Sequence, residues 1–340
     1  MKLITTASYY GSGSSAITDL LSEYDNVKSL GSGFECRIAH DMFGISDLEY
    51  YLVENYHRHN SSTAINKFLR LMDIYGLNNV IRLENYPSVF GEEFKQSVDE
   101  YIKDLTVSIY NGGSHIDIYE KSDFHIALLK FRNRLYKKVN KPQYGILDTS
   151  WEHKKMAPLE KARYDVKSYI SFPKENFISY TKKFTSNLFK KYNDNDYLMV
   201  DQLIPVTNTM RYTRYFDEVK VICVDRDPRD IYYCEKKFWK GGVVPTDPKK
   251  FVDWYLATRE HKKYEQDDAC IVLRIEFEDL IFNYEETVKK IENFLGLDNK
   301  HHVAPKSRFN PDISSKNVGL WKNDKDEYNN IDYITRMIMK

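Results

Sequence analysis

Three consecutive pieces of sequence decide the fold: Lys2-Leu-Ile-Thr-Thr-Ala-Ser8, Gly11-Ser-Gly-Ser-Ser15 and Ala16-Ile-Thr-Asp-Leu-Leu-Ser-Glu-Tyr24. The first is short and partly β-branched, and glycines follow at once, which predicts a buried strand. The last has apolar residues at helical spacing. Strand, small-residue loop and helix, in that order, make a geometry that binds phosphate. Small residues let the backbone curl, and a helix N-terminus presents unpaired N–H groups with partial positive charge. An ordinary strand-to-helix turn is the simpler alternative. The nucleoside-triphosphatase form of such a loop needs Gly-Lys-[Ser/Thr], and Ser14 stands where that Lys would be. That disfavours an ATPase or GTPase. It leaves phosphate binding by the backbone and hydroxyls of Gly11, Ser12, Gly13, Ser14 and Ser15.

Further along, Val27-Lys-Ser-Leu30 predicts a second short strand. Tyr197-Leu-Met-Val200, Val219-Lys-Val-Ile-Cys-Val224 and Ile271-Val-Leu-Arg-Ile275 predict three more. The middle one of these is a near-continuous apolar run, as a central parallel strand requires. Helices are expected over 230–238, 249–263 and 284–295, the last closed by Gly296. Alternating strands and helices imply a parallel α/β sheet. Residues 40–195 interrupt this alternation with mostly helical spacing. Leu48, Tyr51, Leu52 and Asn55 fit one helix; Ala64, Phe68, Leu71 and Tyr75 fit another; Val98, Ile102 and Leu105 fit a third. This stretch is expected to be a helical insertion or cap within a single domain spanning 1–340, placed to hold a second substrate.

The chain has 340 residues, and its 50 Lys+Arg balance 50 Asp+Glu, so a protein that coats nucleic acid is disfavoured. Four cysteines (Cys36, Cys223, Cys234, Cys270) show no C-x-x-C spacing and read as free thiols of a reducing compartment, the cytoplasm. No run approaches a membrane span. His57-Arg-His59 and His301-His302 are not joined by Cys or carboxylate in a ligand motif, so no metal is expected. His115 and His125 fall in the insertion, where an acceptor would sit.

The second motif is Val224-Asp-Arg-Asp-Pro-Arg-Asp-Ile-Tyr-Tyr-Cys234, at the carboxyl end of the strongest predicted strand, where open α/β sheets bind ligands. Arg226 can give a phosphate two parallel hydrogen bonds. Pro228 and Asp230 fit a helix start, and a salt-bridged capping turn would look the same. A third segment, Phe277-Glu-Asp-Leu280 with the helix ending Phe294-Leu-Gly296, reads by itself as core packing. The fourth is Gly319-Leu-Trp-Lys-Asn323.

Together and in this order, the four segments resemble the sulfotransferases that use 3′-phosphoadenosine 5′-phosphosulfate (PAPS). The resemblance covers 1–37 and 197–323 and leaves the insertion out. It implies that Gly11 to Ser15 hold the 5′-phosphosulfate and that Arg226, with Cys234 eight residues later in place of a Ser, holds the 3′-phosphate. It also implies nucleotide contacts from the C-terminal segment through Lys316, Trp321 and Lys322. Departures are plain. Gly11 stands where the family's loop carries Lys or Arg, and Val200-Asp-Gln-Leu-Ile-Pro205 lacks the Lys and His found there in some members. Ser314-Ser-Lys316 replaces an Arg-Lys-Gly. Cys234 is a weaker hydrogen-bond partner than Ser. Phe34-Glu-Cys-Arg37 is similar to the tyrosylprotein sulfotransferases, in which a Glu and then an Arg follow the second strand. This implies Glu35 as general base and Arg37 as a charge near the transferred group, with His40 and Asp41 as competitors.

The expectation is therefore a three-layer α/β fold, a P-loop-like parallel sheet flanked by helices with a helical insertion. The implied activity is transfer of a sulfuryl group from PAPS to a hydroxyl, without metal. A sugar of a polysaccharide or glycolipid precursor is the expected acceptor, because Tyr-rich clefts stack on sugar faces and hydrogen-bond their hydroxyls. A nucleotide-dependent phosphotransferase and a degenerate nucleotide-binding protein are the alternatives.

Overall fold

The computed structural model describes residues 1–77, 85–113, 122–139, 158, 159, 162 and 166–339, with the side chains of Arg58 and His59 left out. His115 lies outside the described residues, as does much of the stretch 140–165. The described chain forms two compact units, one of 1–41 with 185–340 and one of 42–184.

The first unit is built on a five-stranded parallel sheet. Its strands are β1 (Lys2–Ser8), β2 (Val27–Ser29), β5 (Tyr197–Asp201), β6 (Val219–Asp225) and β7 (Val272–Glu276), in the order β2-β5-β1-β6-β7. β1 lies at the centre, with Ile4 opposite Met199 on one side and Lys220 on the other. A parallel sheet needs cover on both faces, and both faces of this one are buried. Ile4, Met199, Ile222, Val224 and Ile275 join a core with Ile17 and Leu20 of the helix Ser15–Leu21 and Ile291 and Leu295 of the helix Tyr284–Leu295. On the opposite face Ala7, Leu198, Val200 and Val221 are likewise fully buried. A second cluster packs the helix Pro228–Cys234 against Pro248–Arg259 and Tyr328–Ile338 through Ile231, Tyr232, Phe251 and Ile334. The helix Tyr284–Leu295 ends in left-handed Gly296 (φ 76°), as its sequence signals.

This strand order places the ligand crevice. The chain leaves β1 towards β2 on one side and leaves β6 towards β7 on the other. The connections diverge, so a gap opens outside the carboxyl ends of β1 and β6, where such sheets bind ligands. The glycine loop follows β1 and Arg226 follows β6.

The second unit contains the expected helices, among them Arg58–Ile74 and Glu93–Leu105. Aromatic rings fill its interior: Tyr75 stacks on Tyr86 at 4.1 Å and Tyr101 on Phe184 at 4.5 Å. It also holds an antiparallel pair, β3 (Thr106–Asn111) and β4 (Lys167–Ser171), which helical spacing does not reveal. Five of the six β3 residues are exposed, so no buried face marks the strand in the sequence. Among the described residues, no helix is long and apolar enough to cross a membrane.

The end of β6 is held by charge. Asp225 and Arg259 are both buried and pair at 2.8 Å, and Lys262 reaches the other Asp225 oxygen at 2.7 Å. Burial pushes the Asp225 carboxyl up, but Arg259 and Lys262 more than offset it and hold the group below its usual value. Replacing Arg259 with Met should cost about 3 kcal/mol, because half of a buried ion pair is left behind. Above pH 4 or so the paired carboxylate contributes stability that is lost as pH falls through its depressed pKa. The difference in denaturation midpoint between the two chains should therefore hold from pH 7 down to about pH 4 and shrink as the pH falls further; a gap that stays equal or widens below pH 4 would contradict this account.

Candidate functional site

The turn after β1 is held from both sides. The Ser12 amide donates to the Tyr9 carbonyl at 3.0 Å, and its buried hydroxyl donates to the Val224 carbonyl of β6 at 2.8 Å. The Ser14 hydroxyl donates to the Ser8 hydroxyl at 3.0 Å, and the Gln202 amide donates to both, at 2.9 and 3.3 Å. These two hydroxyls are thus engaged in shaping the loop. The Ala16 and Ile17 amides close back onto Gly13 and Ser14 at 3.1 and 3.0 Å. The loop depends on its glycines. Gly13 has φ +83°, and a Cβ there would sit 2.7 Å from the Phe277 ring.

Opposite the loop, Asp227 caps the helix Pro228–Cys234 by accepting from the Arg229 amide at 2.8 Å. Arg226, just before the cap, is only 6% exposed. Its Nη2 donates to the Asn317 carbonyl at 2.7 Å and lies 3.9 Å from the Cys234 sulfur. The guanidinium carbon sits 4.9 Å from the Phe277 ring centre, and the buried Nε has no hydrogen-bond partner among the described residues. The sequence pairing of Arg226 with the residue eight positions later is thus a spatial pairing. Glu278 of the third motif accepts from the Asp227 amide at 3.1 Å, and Leu280 is core. Asp230, buried, accepts from the Gly319 amide at 2.8 Å and so ties the C-terminal motif to the same helix.

A cleft of about 430 Å³ lies between these pieces, a volume within the usual range for small-molecule sites. Gly11, Gly13, Ser15, Arg226 and Cys234 all line it, so the two motifs converge on one space. Ser314 and Asn317 line it from the C-terminal side. The lining also includes Asp19, Phe238, Trp239, Arg308 and Phe309, which the sequence reading does not single out. In the sequence Phe238 ends the helix expected over 230–238, and Trp239 reads as core or cap packing. They reach the cleft because the helix after Arg226 continues into a wider π-turn over Glu235–Trp239. Lys316 is exposed and is not a lining residue. Trp321 and Lys322 also stand away from the lining. The Trp321 ring is covered by the Arg229 guanidinium at 4.5 Å, and the Lys322 stem lies against Gly319.

Glu35 and Arg37 do not line this cleft. They form an ion pair at 2.9 Å, and Arg37 also faces Asp41 at 3.4 Å. Glu35 is bridged to Asp201 at the end of β5, with the Cys36 amide donating to the Asp201 carbonyl at 3.0 Å. Burial pushes the Asp201 carboxyl up to about 6; the Thr6 hydroxyl bond opposes this, and the charges of Glu35 and Asp19 add to it. Burial likewise pushes His40 down to about 4, so its ring is neutral at pH 7. His301 and His302 are partnered by Asp25 and Glu23, each at 2.7 Å. Among the described residues, no group of three or more His, Cys, Asp or Glu is arranged to hold a metal ion.

No family profile matches the chain. No curated protein matches it either. One solved structure that it resembles is a sulfotransferase, STF1, from Mycobacterium tuberculosis, at 8% identity and a TM-score of 0.34, over 94% of this chain and 76% of that one.

Two outcomes follow from the geometry. Gly13→Ala forces a left-handed alanine into the Phe277 ring and should destabilise the protein by about 2 kcal/mol. Combining it with Phe277→Leu should recover part of the loss in a thermal melt, whereas additive losses would mean the ring contact is not the cause. For Asp201 the folded pKa lies above the unfolded one. Its contribution is fully present below about pH 4 and is lost as pH rises through 6. Asp201→Asn should therefore raise stability by about 2 kcal/mol at pH 8 and leave it nearly unchanged at pH 4. A variant no more stable than the parent chain at pH 8 would contradict the shift.

Proposed function

We propose that the protein transfers a sulfuryl group from PAPS to a hydroxyl of an acceptor, a sugar being the acceptor class. The observation that carries the reading is the convergence of the Gly11–Ser15 turn, Arg226 and Cys234 on one cleft at the divergence point of the sheet.

The residues present fit such a nucleotide. Arg226 offers a buried guanidinium whose Nε lacks a partner, and an unpaired buried donor is costly until a ligand oxygen accepts from it. Gly13 leaves the turn without a Cβ where one would strike Phe277. Arg226, with Cys234 beside it, would hold the 3′-phosphate. The Gly11–Ser15 turn would cradle the 5′-phosphosulfate with its backbone, since the Ser12 and Ser14 hydroxyls are already engaged. Phe238 and Trp239 offer aromatic faces for the base. The C-terminal segment carrying Lys316, Trp321 and Lys322 would contribute through its backbone and its attachment to Asp230. Bound PAPS supplies an activated sulfuryl group, whose bond to the 5′-phosphate breaks as the acceptor oxygen attacks sulfur.

Glu35 would take the acceptor's proton, and Arg37 would orient it and add positive charge where negative charge develops. The 42–184 unit is the proposed home of the acceptor, with the exposed rings of Tyr50, Tyr56 and Tyr110 as sugar-stacking surfaces. Four free cysteines suit a reducing compartment, and the cytoplasm is the proposed location.

Labelled-sulfate transfer from PAPS onto a panel of glycans tests the activity. Glu35→Gln should lower kcat by about 10² to 10⁴ while leaving the affinity for adenosine 3′,5′-bisphosphate unchanged. Full transfer by that variant would remove the base assignment. Phosphoryl transfer from ATP with Mg²⁺, and none of sulfate from PAPS, would replace the whole reading by the phosphotransferase.

A further inference from the structure

The resemblance leaves the cleft short of cations, because Gly11 and Ser314 stand where basic residues are expected. The structure brings a second guanidinium there from another place. Arg308 lines the cleft beside Phe309, across from Ser15 and Asp19 on the helix that the glycine loop opens. Its charge opposes the burial of the Asp19 carboxyl, which burial and Glu23 push up. No motif marks Arg308. It sits in the irregular chain between the turn Asn299–His301 and the helix Pro311–Ser314.

What fixes that chain is one buried carboxylate. The Glu23 side chain has no exposure to solvent. Its Oε1 accepts from the amides of Arg308 and Phe309 at 2.8 and 2.9 Å. Its Oε2 accepts from the Lys306 amide at 3.1 Å and pairs with His302 Nε2 at 2.7 Å. All four acceptor sites of the carboxylate are thereby used, as a buried charge requires. Next to it, Tyr24 stacks on the His302 ring at 4.3 Å. Lys306 adopts a left-handed turn (φ 63°) that brings the following amides round to the carboxylate. Glu23 lies just past Ser22, which caps the helix Ser15–Leu21, so the clamp ties the chain carrying Arg308 to the helix that the glycine loop opens.

We propose that Arg308 is a second anion-binding residue of the cleft, contacting a phosphate of the bound nucleotide, and that Glu23 is the residue that positions it. The inference rests on the nucleotide reading of the cleft. It supplies what that reading lacks. Arg226 already spends one donor on Asn317, and a ligand with two charged groups needs cationic donors on more than one wall.

Calorimetric titration of the whole chain with adenosine 3′,5′-bisphosphate tests it. Arg308 is exposed on the rim, so its variants should fold. Arg308→Gln should weaken binding about tenfold or more, and Arg308→Lys should recover most of it. Glu23→Gln should weaken binding too, but adding it to Arg308→Gln should cost little more, because both act through one guanidinium. If Glu23→Gln fails to fold, the comparison of Gln with Lys at 308 decides alone. Unchanged affinity in Arg308→Gln, with Arg226→Met abolishing binding, would overturn the role of Arg308 and leave the nucleotide reading standing. A parent chain that binds neither the bisphosphate nor inorganic pyrophosphate would overturn both.

Discussion

The architecture of the cleft hangs on a buried guanidinium. Arg226 sits at the end of β6, 6% exposed, and reaches across the sheet's edge to the carbonyl of Asn317. Burying a charge of this kind is expensive unless its donors are used. One surrounding contact is local, Cys234, while the Asn317 carbonyl and the face of Phe277 come from distant chain. A further donor, the buried Nε, has no partner among the described residues. The same Phe277 ring forbids a Cβ at Gly13, so the shape of the glycine turn and the seat of the guanidinium are fixed by one side chain.

Both ends of the chain are tied to this point by buried carboxylates. Asp230 takes the Gly319 amide, and Glu23 takes those of Lys306, Arg308 and Phe309. Each carboxylate satisfies itself by ordering a segment that has little regular structure of its own. Near the end of β5, Asp201 has no ion pair among the described residues and is bridged to Glu35.

The sheet was legible because a parallel strand buried on both faces is apolar along nearly its whole length, and 219–224 is, apart from Lys220. The helix ends were legible too, at Pro228 and Gly296, because proline and left-handed glycine are local signals. Arg226 was legible at the carboxyl end of the strongest strand, and its pairing with Cys234 followed from the family resemblance, both lying on one strand-to-helix passage. Arg308 was not legible. Its placement depends on Glu23, more than two hundred and fifty positions earlier, and nothing local to either residue announces the bond. The serines of the loop show a further limit. Ser12 and Ser14 look like phosphate donors, yet their hydroxyls already have partners in the fold. β3 was invisible because its side chains face solvent rather than a core.

The account stands on one cleft holding one doubly phosphorylated adenosine, and a competition titration measures that directly. Adenosine 3′,5′-bisphosphate should bind one site per chain and should displace, and exceed in affinity, both ADP and adenosine 5′-monophosphate, without Mg²⁺. Equal binding of the three nucleotides, or tighter binding of ADP that requires Mg²⁺, would contradict it.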